Sequence, residues 1–99
     1  MINKELFYKV TLIDCNGKEL EVAKFLQILT GMEKTETRRI VASLPCVLYE
    51  ELDGEACSYI EEALDFYTAK YKFESVGDEK EVYEVDPSVY PSKQVVALG

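Results

Sequence analysis

The stretch LFYKVTLIDCNGKELEVAKFLQILTG, residues 6–31, changes its hydrophobic period partway along, and that change decides the fold class. Over residues 6–13, Leu6, Tyr8, Val10 and Leu12 alternate with Phe7, Lys9, Thr11 and Ile13. Successive side chains of a strand point to opposite faces, so a period of two predicts a β-strand with one face turned to a core. Asp14-Cys15-Asn16-Gly17 follows, and Asn-Gly supplies the positive-φ residues that a tight turn needs. Past the turn, Val22, Phe25, Leu26 and Leu29 fall at i, i+3, i+4 and i+7, an apolar helical stripe. Gly31 stands where a left-handed C-cap ends such a helix.

The pattern extends outward from there. Thr37, Ile40, Val41 and Leu44 repeat the helical spacing, and Pro45 stops this second helix because proline biases the residue before it away from helical angles. Residues 46–52 open apolar and β-prone, which predicts a second strand. Asp53 is placed as an N-cap, and Glu55 complements the helix dipole in the turn that follows. Cys57, Ile60, Leu64 and Tyr67 carry the third helix to about residue 68. Ala69, Tyr71 and Phe73 alternate with Lys70, Lys72 and Glu74 as a third strand. The order βααβαβ predicts an α+β, two-layer domain over residues 1–76, with a three-stranded antiparallel sheet covered on one face by three helices. Residues 77–99 form a C-terminal extension. Gly77-Asp78 permits a reversal, and residues 81–85 or 94–98 are expected to add a strand to a sheet edge, within the chain or across a homodimer.

Composition narrows the function. A chain of 99 residues makes one domain, and 47% hydrophobic with 30% charged residues is globular usage. Eleven Lys and Arg against 19 Asp and Glu leave a net charge of −8, which repels a phosphate backbone and argues against nucleic acid. Histidine is absent, which removes imidazole metal sites and His-activated nucleophiles. Cys15, Cys46 and Cys57 lack the paired spacing of zinc or dithiol motifs, which fits a reducing cytoplasm. Cys46 and Cys57 read as small buried residues, whereas Cys15 reads as a turn residue open to solvent and without a neighbouring cation to activate it. No apolar run of ~18 residues suits a membrane. Glu50, Glu51, Asp53, Glu55, Glu61, Glu62 and Asp65 read as a solvated acidic face rather than as a metal or catalytic cluster. The expectation is a non-enzymatic cytoplasmic protein without metal or cofactor.

Lys24, Lys34, Arg38 and Arg39 are the only dense basic cluster, with no Lys or Arg from Arg39 to Lys70, and they suit an acidic protein partner. The βααβαβ order, together with the run from Val22 through Lys24 to Leu29-Thr30-Gly31-Met32, then Glu36-Thr37-Arg38, Ile40-Val41 and Pro45, resembles the C-terminal domain of the bacterial ribosomal stalk protein, the L-seven/L-twelve family. The resemblance covers residues 7–74. It implies that the first two helices bind a translational GTPase, with Lys24 and Arg38 at the positions of the family's contacting lysines; together with the basic cluster this places Lys24, Thr30, Gly31, Lys34, Arg38 and Arg39 on the expected partner-facing helix pair. Gln27, Glu33 and Thr35 depart from the family's pattern there, and Thr68 stands where the family has a glycine ending the third helix. The Clp protease adaptor shares this fold and implies an alternative, substrate delivery. Its Asn-Asp pair after the first strand meets Asp14-Cys15-Asn16-Gly17 here, in the other order. A structural or self-associating module is the third alternative.

Overall fold

Asn16 and Gly17 adopt φ values of 51° and 80°, so the turn after the first strand takes the left-handed form that Asn-Gly favours. In the computed structural model, which describes residues 2–77, 81–85 and 94–97, that turn joins β1 (Phe7–Asp14) to α1 (Glu19–Thr30). Then come α2 (Lys34–Ala42), β2 (Cys46–Asp53), α3 (Gly54–Phe66), β3 (Lys70–Ser75), β4 (Glu81–Val85) and β5 (Gln94–Ala97). Over the described residues the chain is a small α+β domain of three helices and an antiparallel sheet, with the expected βααβαβ order through β3. Gly31 caps α1 at φ 74°, its N–H donating to the Gln27 carbonyl at 3.0 Å. Asp53 caps α3, its side chain accepting from the Ala56 N–H at 2.7 Å.

The sheet is larger than the three strands expected. Its order is β2-β1-β3-β4-β5, and every neighbouring pair is antiparallel. The edge of β3 presents unpaired backbone groups, and β4 satisfies them in the register Tyr71↔Val85, Phe73↔Tyr83. The backbone of β5 then pairs with that of β4, Val82 opposite Val96. Of the two segments of the extension that were expected to offer a strand, Glu81–Val85 and Gln94–Ala97 therefore pair within the chain, and Leu98 lies outside the described residues. On the far edge β2 carries two register shifts against β1, with Glu50 and Glu51 exposed in the bulged stretch. Bulges and charge both discourage another strand from adding there.

Period two along β1 and β3 places Tyr8, Val10, Leu12, Tyr71 and Phe73 in the core, where Tyr83 of β4 joins them. Val22 and Leu26 from α1 and Cys57, Ile60 and Leu64 from α3 close that core. α2 packs chiefly against α1, and its Thr37 is buried. On α1 two stripe residues fall short of the expectation, Phe25 being half-buried and Leu29 exposed, and Ile40, Val41, Leu44 and Tyr67 of the other two stripes are also only partly buried. Leu29 lies in the last turn of α1, next to its glycine cap. Cys15 departs in the opposite sense, being completely buried beneath the turn rather than open to solvent. Cys46, expected to be buried, is partly exposed because it lies on the edge strand.

Two positions hold stability in opposite ways. Thr68 adopts φ 56°, a left-handed conformation costly for a β-branched residue. It allows the Ala69 N–H to donate to the Leu64 carbonyl at 2.9 Å and so close the end of α3. Gly54, by contrast, is buried against the N-terminal segment. A Cβ there would collide with the Asn3 carbonyl and lie 2.8 Å from the Lys4 Cα. Thr68→Gly should therefore raise the unfolding free energy by about 1 kcal/mol. Gly54→Ala should lower it by about 1–3 kcal/mol through overpacking. Urea denaturation of the two variants checks both signs.

Candidate functional site

The groove between α1 and α2 follows from helical spacing. Leu20, Ala23, Lys24 and Gln27 lie at i, i+3, i+4 and i+7 on α1, and Lys34, Thr37 and Arg38 at i, i+3 and i+4 on α2. Together they line a cavity of ≈ 500 Å³. Ala23 and Thr37 are small and nearly inaccessible, so they form its floor. The Thr37 hydroxyl is satisfied within its own helix, donating to the Lys34 carbonyl at 3.0 Å. Lys24, Lys34 and Arg38 are exposed, and none of them makes an ion pair among the described residues. Three cations thus converge from two helices on a protein whose net charge is −8.

Apolar side chains flank this charge. Leu20 and Ile28, one helical turn to either side of Lys24, are 70% and 77% exposed. Neither belongs to the periodic stripe that predicts the core, so the sequence pattern passes over them. Their i, i+4, i+8 spacing with Lys24 is the signal that finds them.

The other expected binding residues fall outside the lining. Thr30 serves the end of α1, its hydroxyl donating to the Leu26 carbonyl at 2.6 Å and accepting from the Met32 N–H at 3.1 Å. Gly31 is the C-cap described above. Arg39 is exposed in the last turn of α2, where its charge complements the helix dipole. The structure thus brings Lys24, Lys34 and Arg38 into one groove and gives Thr30 and Gly31 work in the backbone.

The turn that corresponds to the adaptor's amine-binding pair is occupied by the fold. The Asn16 side-chain amide donates to the Thr68 hydroxyl at 3.2 Å, tying the turn to the end of α3. Asp14 is paired with Lys70 across the β1–β3 ladder. Among the described residues, no group of three His, Cys, Asp or Glu is placed to hold a metal ion, and no helix is long and apolar enough to cross a membrane.

Comparison with protein-family models and with curated proteins gives no match to this chain.

The thiols divide by environment. Burial, reinforced by Glu19 and Asp14, pushes the Cys15 thiol up to about 12. Burial, reinforced by Asp53 and Glu61, pushes Cys57 up to about 12 as well. At pH 8 both are protonated and shielded, so a disulfide reagent such as dithionitrobenzoate should modify Cys46 alone in the native protein and all three thiols after unfolding. Because both folded-state values lie above the ordinary 9.0, their contribution to stability is complete below pH 9 and is lost as the pH rises toward 12. The buried hydroxyls of Tyr8 and Tyr71, both raised mainly by desolvation, act in the same direction. The urea midpoint should therefore fall steadily from pH 9 to pH 11.

Proposed function

We propose that this chain is a non-enzymatic protein-interaction domain, similar to the C-terminal domain of the bacterial ribosomal stalk protein, that binds an acidic protein surface through the groove between α1 and α2. The observation that carries the reading is the convergence of Lys24, Lys34 and Arg38 on one groove of ≈ 500 Å³. Exposed Leu20 and Ile28 supply apolar anchors beside those cations, the combination of aliphatic contact and steering charge on which protein interfaces rely. The left-handed backbone at Thr68, where the stalk family carries glycine, supports the resemblance. So does the glycine cap of α1 at Gly31. The protonated, buried thiols of Cys15 and Cys57 are poorly suited to act as nucleophiles.

The partner class that the resemblance implies is a translational GTPase. Titration of a purified translational GTPase with the wild-type chain and with the double reversal Lys24→Glu/Arg38→Glu tests both the surface and the partner. The wild type should bind with an association rate that falls as salt rises. The reversal should weaken binding at least tenfold, about 1.4 kcal/mol, while leaving the thermal midpoint unchanged, since both side chains are exposed. Equal binding by the two proteins would remove this face from consideration. Retention of a different partner from the native cell, lost on the same reversal, would keep the face and replace the GTPase.

A further inference from the structure

A second surface lies on the other side of α1, and its chemistry is the inverse of the first. Tyr59 and Phe66 of α3 are 64% and 79% exposed. They are seven positions apart, so they stand on one helical face, about 10.5 Å apart along the axis. With Ala63 and Glu62 between them, and Tyr67 and Phe25 beside them, they line a groove of ≈ 310 Å³ between α3 and α1. The rings support one another, Phe66 against Tyr67 at 5.2 Å and Tyr67 against Phe25 at 6.1 Å between centroids. The aromatic wall is thus anchored to α1 through a half-buried ring, while Phe66 stands out into solvent.

Charge identifies what fits there. Tyr59 and Glu62 also border an adjoining hollow of ≈ 470 Å³ together with Glu61 and Asp65. Lys4 is the single cation on its rim. From Arg39 to Lys70 the chain carries no positive residue, whereas Glu50, Glu51, Asp53, Glu55, Glu61, Glu62 and Asp65 all fall in that interval. Aromatic side chains in a negative field favour apolar groups flanked by Lys or Arg, whose cations gain both from the carboxylates and from the ring faces. An amphipathic helix presents its apolar side chains at i, i+3 or i+4, and i+7, which spans the same distance as Tyr59 to Phe66.

We propose that the groove between α1 and α3 docks a basic amphipathic helix of a partner protein, with its apolar face on Tyr59, Phe66 and Tyr67 and its Lys or Arg side chains over Glu62 and the neighbouring acidic hollow. This surface is separate from the cationic groove between α1 and α2, and it stands or falls independently of it. Together the two would make the domain a bridge between an acidic and a basic partner.

The test is an NMR titration of the isotope-labelled full chain with two synthetic helical peptides that share one leucine pattern, one bearing lysines and the other glutamates on the polar face. The lysine peptide should saturate and shift the amides around Tyr59, Glu62, Phe66 and Tyr67, and the glutamate peptide should bind at least tenfold more weakly. Phe66→Ala and Glu62→Lys should each weaken the lysine peptide at least tenfold with an unchanged thermal midpoint, both side chains being exposed. Lys24→Glu/Arg38→Glu should leave this binding intact. Shifts scattered over the whole acidic surface, or affinity unaffected by Phe66→Ala, would overturn the proposal. So would sedimentation of the chain alone as a dimer that Phe66→Ala dissociates, because a second copy would then be the occupant.

Discussion

Tyr8, on a β1 flanked by β2 and β3, is the residue through which the N-terminal segment and four strands of this structure meet. It is completely inaccessible to solvent and packs edge-on against Phe73 at 6.3 Å and Tyr83 at 6.0 Å between ring centroids. Its backbone lies opposite Leu52 of β2 on one side and Ser75 of β3 on the other. A buried phenol also needs partners for its hydroxyl. Here that group accepts from the Asn3 N–H at 3.0 Å and donates to a Glu81 carboxylate oxygen at 3.3 Å. One residue thereby joins the N-terminal segment, the two neighbours of β1, and β4. The same N-terminal segment lies against Gly54 at the start of α3, and the Gly54 N–H donates to the Leu6 carbonyl at 2.8 Å. The position of α3 over the sheet is tied through this segment to β1.

With the core committed to aromatic packing under α1 and α3, the surface sorts itself by charge. α2 rests on α1 through Thr37 and brings Lys34 and Arg38 beside Lys24. α3 carries Glu55, Glu61, Glu62 and Asp65 and no cation. Asp65 is also held in place, accepting from the buried Tyr71 hydroxyl. The separation of opposite charges on two helix pairs that share α1 is a tertiary property, and it makes partner choice more than a matter of the overall −8.

The sequence alone determined the element order, and it did so through short-range rules. Alternation identified β1 and β3, helical spacing identified α1 and α3, and Asn16-Gly17, Gly31, Pro45 and Asp53 marked the boundaries, because backbone sterics and capping act over only a few residues. The basic cluster was legible for the same reason, since Lys34 and Arg38 are one helical turn apart. Tertiary structure decided which members of each apolar set were covered. Leu29 escaped burial and Cys15 gained it, because exposure depends on what another part of the chain lays over a residue. Leu20, Ile28, Tyr59 and Phe66 became surface anchors on the same terms. The number of strands was likewise beyond local pattern: residues 81–85 and 94–97 are β-prone in sequence, but β4 joins the sheet because β1, distant in sequence, pairs with one edge of β3 and leaves the other free, and β5 joins because β4 in turn leaves an edge of its own.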